Sequence, residues 1–136
     1  MPKNRKLKNL LDGRNMTAPQ DDNVVGGIPL LYRIDMAGGA TASSTTTLQG
    51  DVVVIDMWVL NRAAGTTSDT VQLFADEAGI IAISDAISVA GADQTIASVG
   101  TIDSSLAQTS FLTITETDGG GSDSPACTVY ILAYKA

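Results

Sequence analysis

After Gly26-Gly27, apolar and polar residues alternate with a period of two along most of the chain, the spacing of strands that bury one face. In IPLLYRIDM, Ile28, Leu30, Tyr32, Ile34 and Met36 share one side, while Leu31, Arg33 and Asp35 share the other. AGGATASS then reads as a loop. The strongest strand signal is DVVVIDMWVLNR, where simple alternation sets Val53, Ile55, Met57 and Val59 opposite Val52, Val54, Asp56, Trp58, Leu60 and Arg62. After the turn AAGTTSD, TVQLFA points Val71, Leu73 and Ala75 inward, and DEAG connects to GIIAIS. The stretch AISVAGADQTIASVGTIDSS offers two or three short strands of small residues separated by Gly91 and Gly100.

In SFLTITE, Leu112 and Ile114 lie opposite Phe111, Thr113 and Thr115. The glycines of GGGSDSP permit unusual backbone angles at a loop tip. In ACTVYILAYK, Cys127, Val129, Ile131 and Ala133 face one way, and Ala126, Thr128, Tyr130, Leu132 and Tyr134 the other. Apolar groups on both sides suit a central or interface strand. The reading is all-β: a single jelly-roll-like β-sandwich of about eight strands. An immunoglobulin-like sandwich is the alternative.

Charge divides the chain. Five of the eight basic residues, Lys3, Arg5, Lys6, Lys8 and Arg14, fall in the first fourteen positions. From Val25 onward three bases face twelve acids, a net charge of about −9. Residues 1–24 therefore read as a basic N-terminal arm, extended or with one short helix near Arg5 to Leu11, and 25–136 as the sandwich domain. The arm could be a solubilising tail, a nucleic-acid contact or a docking segment. With no aromatic to stack on bases and with Asp12, Asp21 and Asp22 diluting its charge, docking is favoured, burying Leu7, Leu10 and Leu11 against a protein. The overall charge of −7 argues against a nucleic-acid partner. No apolar run approaches the roughly eighteen residues of a membrane helix, and MPKNRKLKNLLDGRN lacks the apolar core of a secretory signal. A soluble protein without a membrane partner is expected.

Candidate chemistry is sparse. The sequence contains no histidine, which removes the commonest general base and metal ligand. Cys127 alternates with Val129 and Ile131 and reads as a small core residue, not a nucleophile. Asp76 and Glu77 share a turn, and Asp118 and Asp123 flank a glycine loop; these read as solvated turn acids rather than a hydrolytic pair. TDGGGSDS does not follow the calcium-loop spacing, and no glycine cluster forms a phosphate loop. Asn15-Met16-Thr17 fits the glycosylation pattern, read here as a chance match. The expectation is a non-enzyme with no cofactor and no metal. The second faces of the strands that carry Trp58, Leu60, Tyr130 and Tyr134 are too apolar for ordinary solvent surface; they are covered either within the monomer or by another subunit, and a subunit interface is favoured.

The succession IPLLYRIDM, DVVVIDMWVLNRAAGTTSDTVQLF, AISDAISVAGADQTIASVGTIDSS and ACTVYILAYK resembles capsid cement or decoration proteins of tailed bacteriophages, over roughly residues 28–136. The arm is not covered by it. The resemblance implies a β-sandwich or jelly roll, a homo-oligomer with a trimer favoured, made in the host cytoplasm and placed on the outer surface of the virion. There it would bind major capsid protein and bridge neighbouring subunits. A virion surface spike or head-fibre domain binding a host glycan is the alternative, and a carboxylate hydrolase a distant third.

Overall fold

The computed structural model describes residues 29–65, 68–103, 108–120 and 123–136. Arm residues Lys3, Arg5, Lys6, Leu7, Lys8, Leu10, Leu11 and Arg14 lie outside the described residues, as does Ile28. The described elements are strands: β1 (Pro29–Met36), β2 (Ala42–Asn61), β3 (Thr70–Phe74), β4 (Ile87–Ser88), β5 (Ile96–Ser98), β6 (Gln108–Thr117) and β7 (Cys127–Lys135). They form one antiparallel sheet in the order β1-β7-β2-β6-β3-β4, with β5 also paired to β2. The all-β expectation holds, with seven strands among the described residues. The pairings β1·β7, β2·β6 and β3·β4 nest inside one another, as in a long hairpin rolled upon itself, the plan of a jelly roll.

β2 organises the roll. Its first half pairs with β6, from Ala42 opposite Glu116 to Thr47 opposite Phe111. Its second half pairs with β7, from Val52 opposite Lys135 to Asn61 opposite Cys127, and Trp58 to Leu60 also pair with β5. One half of the domain is therefore β5-β2-β7-β1 and the other β2-β6-β3-β4, with β2 common to both. The sheet curls so that inward residues of both halves meet in one core, including Ile34, Met57, Val71, Leu73, Ile87, Leu112, Ile114, Val129 and Ile131. Each large aliphatic side chain removed from water there contributes about 1.5–3 kcal/mol before entropy is charged.

Simple alternation fails in β2, and the reason is a bulge. Val54 lies opposite Ala133 but Asp56 lies opposite Leu132, so one extra residue, Ile55, enters the ladder. The phase reverses there: Val52 and Val54 are buried before it, and Met57, Val59 and Asn61 after it. Ile55, expected on one face with Met57, is 47% exposed, and Val53 is half-buried at the edge of the core. Val52 and Val54, expected on the face opposite Met57, are core residues. Asp56 Oδ1 accepts the Met57 N–H at 2.8 Å, satisfying a donor at the irregularity.

Two other expectations change. Ala42 to Ser44, read as loop, begin β2. The Thr- and Ser-rich start of this strand is held across to β6 by hydroxyl pairs, Ser43 Oγ to Thr115 Oγ1 at 2.8 Å and Thr45 Oγ1 to Thr113 Oγ1 at 3.0 Å. The GIIAIS segment forms no strand and contributes only bridges, Phe74 with Ala82 and Ser84 with Ile102. Elsewhere the reading holds: Ile34 and Met36 of β1, Val71 and Leu73 of β3, Leu112 and Ile114 of β6, and Cys127, Val129, Ile131 and Ala133 of β7 are all buried. β7 lies between β1 and β2, a central place that suits its two apolar faces.

Candidate interaction surface

Strand register places side chains on the outer face of the β5-β2-β7-β1 half in rows. In one row Arg33 lies beside Tyr130, Tyr130 beside Trp58, and Trp58 beside Ser98. On one side of it Leu31 neighbours Leu132, which neighbours Asp56; on the other Asp35, Thr128, Leu60 and Ile96 follow in order. Tyr134 lies one row beyond Leu132, opposite Pro29. The four residues singled out from the sequence thus share one face, with Trp58, Leu60 and Tyr130 adjoining and Tyr134 toward one end.

Trp58 and Tyr130 stack, with ring centroids 5.8 Å apart and planes inclined by 20°. Around them the surface is apolar beyond what the sequence suggested. Leu31 is 59% exposed and Ile96 64%. Leu31 escaped notice because it alternates with Arg33 and Asp35 and so read as part of a polar face. Ile96 sits in a run of small residues without a clear strand period, and only its pairing with Leu60 brings it to this face. Arg33 Nε pairs with Asp35 Oδ1 at 3.3 Å on the exposed strand β1, and Thr128 Oγ1 donates to the same oxygen at 2.8 Å. These contacts hold the Asp35 carboxyl below the usual carboxylate range, the Thr128 hydrogen bond most of all.

Three other candidate groups, Asp76, Asp118 and Cys127, are occupied in structural roles. Asp76 accepts the Ile81 N–H at 2.7 Å and the Ile80 N–H at 2.9 Å, which keeps its carboxyl low and closes the 76–81 turn. Asp118 Oδ1 accepts the Gly120 N–H at 2.9 Å. Cys127 is fully buried, and its Sγ donates to Glu116 Oε2 at 3.3 Å; burial in the first place, and the Glu116 charge next, push the thiol far up. Among the described residues no three Cys, Asp or Glu side chains gather as metal ligands would.

Two groups escaped the sequence reading: Glu116 and Asp69 are both buried. Glu116 continues the inward phase of Leu112 and Ile114, a signal that was present but was outweighed by its charge.

No family model matches the chain, and no curated protein matches it. Among solved structures, a chain from the structure of infectious bursal disease virus Gx strain is similar at 16% sequence identity with a TM-score of 0.29, over 76% of this chain and 32% of that one. This chain thus spans about a third of the length of the chain it matches. So distant a likeness assigns neither fold nor role, and no family or sequence match connects the chain to tailed-phage decoration proteins.

Proposed function

We propose that this protein is a structural part of a virion, a decoration protein that binds the outside of a tailed-phage capsid and stabilises it by bridging neighbouring major capsid subunits. The observation that carries the reading is the apolar outer face of β5-β2-β7-β1, centred on Trp58 and Tyr130 and bordered by Leu31, Leu60 and Ile96. Surfaces of this kind gain free energy by being covered. Copies of the chain cover it in a homo-oligomer, and the basic arm carries the oligomer to the shell. Several weak attachments on one oligomer then act together, because each later one forms at high effective concentration. A non-catalytic role agrees with a domain whose thiol is buried and in which Asp76 and Asp118 are engaged by backbone N–H groups.

The copy number in purified particles tests this. A number comparable to that of the major capsid protein is expected; a few copies per particle would overturn the cement role in favour of a vertex spike. Deleting residues 1–24 should abolish binding to undecorated capsids while leaving a folded domain, and full occupancy by the truncated chain would remove the docking role of the arm. A second reading, a spike domain that binds glycan, draws on the partly exposed Trp58–Tyr130 stack, on which a sugar ring could lie. A saturable hit on a glycan array would promote it.

A further inference from the structure

The margins of the sheet are unequal. β4 has two residues and β5 three, whereas β1 has eight, and among the described strands it pairs with β7 alone, over its whole length and without a register shift. Such an edge presents a row of backbone N–H and C=O groups to any strand of matching pattern. Proteins usually blunt a long edge with a bulge, an unbalanced charge or a central proline. In β1 the proline, Pro29, stands at the first position, and the only charges, Arg33 and Asp35, are of opposite sign. The side chains near this edge are incompletely covered. Leu31 on the outer face is 59% exposed, and Leu30 and Tyr32 on the core side are only half-buried, while Ile34 and Met36 are buried.

The pattern of β1 is complementary to its own reverse. Residues directly opposite in an antiparallel pair share a face, so two copies keep their outer faces on one side only if the two-fold axis passes through a residue. Centred on Arg33 or on Asp35, the pairing sets like charges together; centred on Tyr32, it sets Arg33 against Leu31. Centred on Ile34, it sets Arg33 against Asp35 of the partner subunit on both sides of the axis. That register pairs Tyr32 to Met36 on each copy and brings Tyr32 beside Met36 of the partner subunit, covering the half-buried ring. Arg33 and Asp35 now pair within one chain, with side chains 61% and 52% exposed, so a change of partner moves no buried group.

We propose that β1 is a self-pairing edge: two copies join through antiparallel β1 strands about a two-fold axis at Ile34, held in register by reciprocal Arg33–Asp35 pairs. The inference goes beyond the virion role and shares with it only that copies associate. The Trp58–Tyr130 stacks of the two copies then lie on one continuous outer face. A strand pair this short acts together with the covering of that face, not in place of it.

Charge reversal in the full-length chain tests the pairing. Arg33→Asp and Asp35→Arg are each expected to fold, read by circular dichroism. Each should weaken self-association about tenfold in sedimentation velocity, since two attractions at the axis become two repulsions. Mixed in equal amounts, the two variants should associate to within about twofold of the wild type, because an all-acidic β1 then faces an all-basic one. Within either chain the two charges still repel, so recovery on mixing reads the contact between copies. In the wild type, the edge amides of β1 should exchange more slowly with deuterium as chain concentration rises. Single variants that associate like the wild type, or a mixture that does not recover, overturn the pairing; dissociation by Trp58→Asp in that case leaves the outer-face interface standing alone. Edge amides protected equally at every concentration overturn it too, and hand the edge to residues 1–28 of the same chain.

Discussion

Trp58 of β2 lies directly opposite Tyr130 of β7, and their rings stack at 5.8 Å on the outer side of the sheet. Neither ring belongs to the core cluster, so the pair can be altered without opening a cavity there. Trp58→Asp should therefore leave a folded monomer while dissociating the assembly, read by native mass spectrometry and circular dichroism. A double-mutant cycle with Tyr130→Ala should return a coupling of about 0.5–1.5 kcal/mol. An assembly unchanged by the charge would exclude this face as a subunit interface.

The bulge at Ile55 makes two neighbouring apolar residues unequal. Met57 is fully buried, so Met57→Ala should cost about 2–5 kcal/mol in denaturant unfolding. Ile55→Ala should cost about 0.5 kcal/mol or less, as surface changes usually do. Equal costs would mean that the strand keeps simple alternation throughout.

Gly38 and Gly39 both have positive φ, 78° and 100°, but differ in surroundings. A Cβ on Gly38 would sit 2.6 Å from the Ser124 carbonyl oxygen, whereas one on Gly39 would meet nothing within 4 Å. Gly39→Ala should cost only the backbone strain, about 1–2 kcal/mol, and Gly38→Ala clearly more. Thermal unfolding of the two variants side by side checks the order.

Asp76 supports its turn through N–H bonds from Ile81 and Ile80, which hold its carboxyl low. For a depressed acid the stabilisation is present above the unfolded value of about 3.9 and is lost as pH falls through the folded one. Asp76→Ala should lower Tm at neutral pH, with the gap to the wild type narrowing in acid. A gap that widens on acidification would contradict the bonding.

Burial and the raised thiol of Cys127 predict that a disulfide reagent leaves the native protein unmodified at pH 8 and labels one thiol per chain in denaturant. Rapid labelling of the native state would place the thiol at the surface.

Strands β1, β6 and β7 were legible because their apolar residues keep one phase: Ile34 and Met36, Leu112 and Ile114, and Cys127 to Ala133 alternate without interruption. β2 was legible in existence and not in facing, since an inserted residue leaves composition unchanged while inverting all that follows. Asp56, a charge within an apolar run, was its one visible trace. The start of β2 was missed because its small polar residues find partners only on a distant strand, as Ser43 does in Thr115. The candidate surface was half legible. Trp58, Leu60, Tyr130 and Tyr134 follow from strand phase, but Leu31 and Ile96 join them only through cross-strand register, which single-strand patterns do not carry. The docking arm, Lys3 to Arg14, lies outside the described residues.

Because β2 runs through both halves of the roll, no surface divides them without cutting a covalent backbone. A force applied across the domain must bend this strand between Thr47 and Val52, where its pairing passes from β6 to β7, before it can peel the halves apart. Heat meets the same obstacle: melting either half withdraws a partner from the other, so calorimetry should trace one sharp transition instead of two. The strand whose bulge confounds the sequence pattern is in this sense the spine of a single mechanical unit.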